Sequence, residues 1–172
     1  GPAVDSGDLY FQTASHESWT LEDGLVRNGS YSVEKGVGIR AISGDNTGFA
    51  YADEIVMPSL LQASQAARSI ANRGDQGTVQ AWKKSENSPL YQAANPMDVI
   101  GAEEKVDLLR QIDAYVRSLD EKISEVVVSL AATFDTILIV ATDGTLAADI
   151  RPLVRLNINV IASHGDRKEQ GS

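Results

Sequence analysis

Cysteine is absent from this 172-residue chain. That excludes disulfides, thiolate nucleophiles and cysteine metal clusters, and it fits a reducing, cytoplasmic setting. Histidine is almost as scarce, with His16 and His164 the only two. No apolar run approaches the roughly 18 to 20 residues a helix needs to cross a bilayer, and the chain opens without a signal-peptide pattern, so no membrane partner is expected. Positive charge is also in deficit. Fifteen Lys and Arg face 24 Asp and Glu, a formal charge of −9, so a phosphate backbone would be repelled rather than neutralised. The basic residues are scattered and no basic strip interleaves with aromatics. Direct nucleic-acid binding is not expected.

What is present is ordinary globular composition, 42% hydrophobic and 23% charged, in a length suited to one domain. Gly1-Pro2 looks like the pair left by a tag-removing protease and is set aside, leaving residues 3 to 172 as a single domain. Leu9-Tyr10-Phe11-Gln12 resembles the core of another tag-cleavage site. It lacks the usual flanking residues, however, and alternates as a native strand does.

Period-2 alternation dominates residues 8 to 56. Leu9, Phe11 and Thr13 face one way and Tyr10 and Gln12 the other; in a separate next segment Trp19 and Leu21 alternate with Ser18, Thr20 and Glu22. Asp23-Gly24 and Asn28-Gly29 carry hairpin-turn chemistry, because type I′ turns need positive φ at both central positions. Val37–Ile42 and Thr47–Tyr51 read as strands joined at Ser43-Gly44-Asp45-Asn46, so five or six short strands are expected. From Pro58 the period becomes helical, with Leu60, Leu61, Ala63, Ala67, Ile70 and Ala71 as the apolar stripe and Gly74 at the C-terminal cap. Residues 74 to 100 read as a long loop in which Ser88-Pro89-Leu90-Tyr91 tucks an aromatic onto the core. A second helix is expected from about Ala102 to Lys122, with the stripe Val106, Leu109, Ile112, Val116, Leu119 and with Glu103 and Glu104 favoured at its start by the helix dipole. Three β-branched segments follow, Val126–Leu130, Thr136–Val140 and Leu153–Ile161, with a turn at Asp143-Gly144. Strands, helices, then strands imply an α+β fold: an antiparallel β meander or curved sheet with two long helices packed on it.

Candidate chemistry is sparse. His16-Glu17 begins like a zinc-peptidase helix, but no second histidine lies one turn on and the local period is that of a strand. Gly36, Gly38, Gly44 and Gly48 lack the Lys-Ser or Lys-Thr and the following helix of a phosphate loop, so they read as bulges or close backbone approaches. Asp143, Asp149 and Arg151 could act in acid–base chemistry or grip a peptide carboxylate; the structural reading is a turn aspartate and an arginine bridging two strands. No Gly-x-Ser-x-Gly elbow occurs.

The ordered blocks Gly7-Asp8-Leu9-Tyr10-Phe11-Gln12, Glu17–Asp23, Gly36–Gly44 and Thr47–Asp53 resemble the amino-terminal part of the TldD/PmbA (modulator of DNA gyrase) family. Ala141–Leu156 is the most distinctive block and resembles the TldD branch rather than its PmbA (TldE) partner. The resemblance implies a bacterial, cytoplasmic zinc metallopeptidase that trims unfolded peptides with a PmbA/TldE-type subunit or as a homodimer. Family members are tied to microcin maturation, antitoxin turnover and gyrase modulation. The family's metal helix carries His-Glu-x-x-x-His, which does not occur here. No catalytic or metal residue therefore carries over, and zinc is implied for a longer parent. The resemblance implies an amino-terminal domain, cut before the catalytic carboxy-terminal part and inactive alone, that supplies subunit contacts and a peptide-access surface. Arg40, Tyr51, Asp143 and Arg151, polar or aromatic groups inside the family-like blocks, are the candidate peptide contacts, and a strand edge could hold an extended substrate by main-chain hydrogen bonds. The alternative is a non-enzymatic interaction module, for example a gyrase regulator or antitoxin binder.

Overall fold

The computed structural model describes residues 4–71, 80–84 and 90–172. The Gly1-Pro2 pair, the Gly74 cap and Ser88-Pro89 lie outside the described residues. Among the described residues the chain forms β1 (Ser6–Glu22), β2 (Leu25–Ser43), β3 (Asn46–Ala52), α1 (Met57–Ala71), β4 (Lys83–Lys84), α2 (Ala102–Ser118), β5 (Ile123–Ala141), β6 (Thr145–His164) and β7 (Arg167–Gly171), with a 3-10 turn at Pro96–Asp98 before α2. The strands form one sheet in the order β3-β2-β1-β5-β6-β4, with β7 also beside β6. Two meanders, β1 to β3 and β5 to β7, thus join where β1 pairs with β5. The fold is α+β with an antiparallel sheet and two helices, as expected.

The strands are fewer and longer than the sequence suggests. β1 and β5 each fuse two expected strands, because Ala14–Ser18 and Ala131–Asp135 contain no Gly, Pro or Asn to turn the chain. Asn28-Gly29 is no turn at all; it lies inside β2. A Cβ on Gly29 would come within 2.8 Å of the Trp19 ring, so this glycine makes room for an indole on the neighbouring strand. Asp23-Gly24 does turn, and both residues have positive φ, 49° and 75°, as a type I′ hairpin requires. The turn at Asp143-Gly144 also forms, between β5 and β6.

Within the expected 74–100 loop, the described residues include a short strand at Lys83–Lys84 and the 3-10 turn at Pro96–Asp98. Gln80 N–H donates to Thr142 O and Lys83 N–H to Gly144 O, each at 2.8 Å, and β4 pairs in parallel with Thr145-Leu146. Main-chain bonds of this kind leave no mark on side-chain patterning. The expected tuck of Leu90-Tyr91 does not occur: Leu90 is 85% exposed and Tyr91 is also exposed. The second helix stops at Ser118 rather than Lys122. Asp120 accepts from Lys122 N–H at 2.9 Å, a local turn that competes with helix continuation and leaves Leu119 exposed.

Contacts divide the chain into two compact units. The first comprises Gly1–Ala14, Val33–Gln92 and Asp135–Arg151, and the second Ser15–Ser32, Ala93–Phe134 and Pro152–Ser172. In the first unit, Ala63, Ala67 and Ala71 of α1 pack on Val37, Ile39 and Ala41 of β2. The larger residues of the expected stripe, Leu61 and Ile70, are exposed instead. The reason lies at Gly48 of β3, where a Cβ would stand 1.9 Å from Ala67 O. Helix backbone rests on strand backbone there, and only alanines fit between.

The second unit is cored by Leu21, Leu109, Val116, Val126 and Val128, each such aliphatic side chain contributing about 1.5–3 kcal/mol on full burial. Glu104 accepts from Gly101 N–H at 2.8 Å and caps the start of α2. The buried face of α2 reads Lys105, Leu109, Asp113, Val116, so two of its four buried positions are charged.

Candidate functional site

Both charged residues on that face are paired. Asp113 accepts from Arg117, which also donates to Asp23 at the β1–β2 turn. Burial pulls the Arg117 guanidinium down, but hydrogen bonds to Asp113 and Asp23 outweigh it and raise its pKa. Lys105 is the more enclosed. Its Nζ donates to Glu17 Oε2 and to Met97 O, both at 2.7 Å, and the Lys105 and Glu17 side chains are 6% and 12% exposed. Trp19 Nε1 donates to the other carboxylate oxygen at 2.7 Å. Glu17, Trp19 and Leu21 follow at i, i+2, i+4 along β1, so period-2 pleating turns all three toward α2. Two hollows share the ion pair as wall: an apolar one of about 240 Å³ and a polar one of about 470 Å³ that includes Tyr31, Asn95 and Asp98.

In the first unit, two of the candidate peptide contacts fall on one sheet face. Arg40 pairs with Phe49 and Gly38 with Tyr51 across β2 and β3. Partners in an antiparallel ladder point the same way, so Arg40, Phe49 and Tyr51 share the face opposite α1, whose side is occupied by Val37, Ile39 and Ala41. Arg40 donates through Nε and Nη2 to Asp8 Oδ2 at 2.8 and 2.6 Å, which puts Asp8, and two residues on Tyr10, on that face as well. Arg151, on β6, lies within electrostatic range of Tyr10 and Asp135. β2 and β6 are three strand spacings apart, about 14 Å, so Arg40 and Arg151 cannot clasp one small group. Phe49 and Tyr51 are exposed. Asp53 hydrogen-bonds the Tyr51 hydroxyl and raises its pKa above the ordinary value.

Asp143 lies apart, in the turn, where its Oδ1 accepts from Thr145 N–H at 2.9 Å. That backbone bond, with a second from the Thr145 hydroxyl, holds its carboxyl below the usual range. Arg151 does not bridge two strands as expected. It pairs with Asp149 on its own strand at 2.7 Å, since residues i and i+2 of a strand project to the same side, and this bond is the chief cause of its raised pKa.

His16 sits on a strand, not a helix. Gly36, Gly38 and Gly48 are all places of close approach, to Ala52 O, the Phe49 ring and Ala67 O. Among the described residues no three His, Asp or Glu side chains converge as a metal site, so the residues described do not fit a zinc ion. In the second unit, β6 has no pairing among the described residues on its β4 and β7 side between Pro152 and Asn159, before β7 begins to pair at Val160. It carries Pro152, tolerated where no ladder N–H is needed, and exposed Leu153, Val154 and Leu156.

Two family models match this chain: the PmbA/TldA metallopeptidase domain 1 over residues 7–71 and the PmbA/TldA metallopeptidase central domain over residues 95–172. The Metalloprotease TldD homolog of Haemophilus influenzae is 44% identical across 98% of the chain. The chain belongs to the TldD/PmbA family. A Buchnera aphidicola TldD homologue is 39% identical, again across 98%. The chain spans about a third of these curated relatives, 36% and 35% of their lengths. Among solved structures, a Bacteroides thetaiotaomicron protein described as a modulator of DNA gyrase superposes with a TM-score of 0.76 at 11% identity, over 98% of this chain and 40% of its own. TldE from Thermococcus kodakarensis gives 0.63 at 13% identity, over 96% and 38%. At such identities these two structures speak for the fold alone.

What sequence reasoning missed in this TldD/PmbA chain is the Glu17–Lys105–Trp19 cluster. Its signal was available: Lys105 stands four residues before Leu109, in register with the apolar stripe, and Glu17 stands two before Trp19.

Proposed function

We propose that this chain is a non-catalytic, amino-terminal part of a TldD-type zinc metallopeptidase of the bacterial cytoplasm. It supplies contacts to a PmbA/TldE-type subunit or a second copy, and a surface along which unfolded peptides reach a catalytic centre on the rest of the polypeptide. The observation that carries this reading is the 44% identity over nearly the whole chain to a relative named a metalloprotease, of which the chain spans 36%. Geometry supports the surface role. Arg40, Phe49 and Tyr51 give one sheet face both a cation and exposed rings, and an extended peptide of about six residues spans the roughly 19 Å from β3 to β6. The β6 edge from Pro152 to Asn159 offers main-chain hydrogen bonds of the kind that hold a peptide without regard to its side chains.

A photo-crosslinking phenylalanine analogue at Tyr51 tests the face. Exposure to an unfolded peptide should label that position well above the same analogue at Tyr115, an equally exposed tyrosine on α2. Equal labelling, or none, rejects it. The second reading, a protein-interaction module acting without proteolysis, is favoured by the exposed Met57, Leu61 and Ile70 of α1.

A further inference from the structure

The geometry points to a binding site for one flat aromatic ring, of about indole size, in the apolar cavity of the second unit. This inference does not depend on the peptidase reading. Size is the first argument. A cavity of roughly 150 Å³ lined by aliphatic side chains stays dry and takes up benzene; the space here is about 240 Å³, enough for a second fused ring.

The walls are the second. Trp19, Ile100, Leu108, Leu130, Ala132 and Val154 line it, so its surface is almost all carbon and includes an aromatic residue. Aromatic rings gain by offset or edge-to-face contact with such a residue. Exposed Val99 and Leu108 on the same lining leave a way in from solvent.

The cavity has a single polar end. Glu17 and Lys105 are the charged residues on the lining. Trp19 Nε1 and Lys105 Nζ each occupy one site on the Glu17 carboxylate, which leaves about two of its four lone-pair sites for a further donor. A ring with one N–H satisfies that end. A sugar, nucleotide or phosphate would bury several polar groups against carbon without partners, which is costly. The chemistry therefore selects an indole ring, free or borne on a peptide.

The test is an NMR titration of the 15N-labelled 172-residue chain with indole and, separately, with N-acetyl-L-tryptophanamide. Indole should shift the Trp19 Nε1–H and the Leu130, Ala132 and Val154 amides saturably, with a Kd on the order of 0.1–1 mM, as suits a ligand of about nine heavy atoms. Shifts with both probes mark a site for a peptide side chain, and shifts with indole alone mark a site for a free ring; either supports the inference. Ala132→Leu fills the cavity from β5 and Leu108→Trp from α2. Whichever variants keep the far-ultraviolet circular dichroism of the parent should bind indole about tenfold or more weakly. The inference is overturned if indole gives no saturable shift at Trp19 up to about ten times that Kd, or if folded variants bind as well as the parent.

Discussion

Replacing Lys105 with Met should be among the most damaging single changes in the second unit. The Lys105 and Glu17 side chains are 6% and 12% exposed, so removing the cation leaves a carboxylate out of water with the Trp19 N–H as its remaining donor. Met97 O also loses the Lys105 donor. Breaking an enclosed ion pair from one side costs about 3–5 kcal/mol. Glu17→Met strands the ammonium instead and should cost a similar amount. The double variant removes both charges and leaves hydrocarbon of similar volume. It orphans the Trp19 N–H and Met97 O, at about 1–3 kcal/mol for each buried group, yet escapes the unpaired charge. Its loss should therefore fall short of the sum of the two singles by about 2 kcal/mol or more. Urea titration followed by tryptophan fluorescence measures each variant. At a slope near 2 kcal/mol per molar, Lys105→Met should move the midpoint down by about 2 M. Losses below about 0.5 kcal/mol in the singles, or additivity within about 0.5 kcal/mol, would refute the reasoning.

Gly48→Ala places a methyl group 1.9 Å from Ala67 O, which α1 can relieve only by lifting off β3; a loss of about 2–4 kcal/mol in urea titration is expected. Gly29→Val should displace the Trp19 ring, 2.8 Å from the added Cβ, and shift its fluorescence maximum to the red while β2 stays paired. The Asp143 carboxyl has a folded pKa lowered from 3.8, so its stabilising effect is complete above that value and is lost as pH falls through the lowered pKa. Urea midpoints of Asp143→Asn should accordingly change less than those of the parent below about pH 4. Asp53 raises the Tyr51 pKa from 10.0, so Asp53→Asn should bring the phenol's absorbance titration back toward that value.

The α+β class was legible because period-2 and period-3.6 patterns occupy separate stretches and because Asp23-Gly24 and Asp143-Gly144 are true turns. The strand count was not, because Asn28-Gly29 has the same chemistry as a turn and serves instead as a seat for Trp19. Only the partner strand reveals that use of a glycine. The stripe of α1 was half right: Ala63, Ala67 and Ala71 are buried, but the close approach at Gly48 turns Leu61 and Ile70 outward, against the ranking by hydrophobicity. Of the candidate contacts, Arg40 and Tyr51 reach one face through strand parity, Arg151 pairs with Asp149 on its own strand, and Asp143 serves its turn. The Glu17–Lys105 pair was hidden by the habit of placing charge on the solvent side of a helix.

Zinc content measured together with peptide hydrolysis tests the central claim most directly. The purified 172-residue chain and the longer polypeptide of its natural reading frame should be assayed side by side, each with and without a PmbA/TldE-type subunit. The account predicts that the 172-residue chain holds no stoichiometric zinc and turns over no peptide, while the longer polypeptide does both and loses hydrolysis to a chelator. One tightly held zinc per 172-residue chain, with chelator-sensitive turnover, would contradict it.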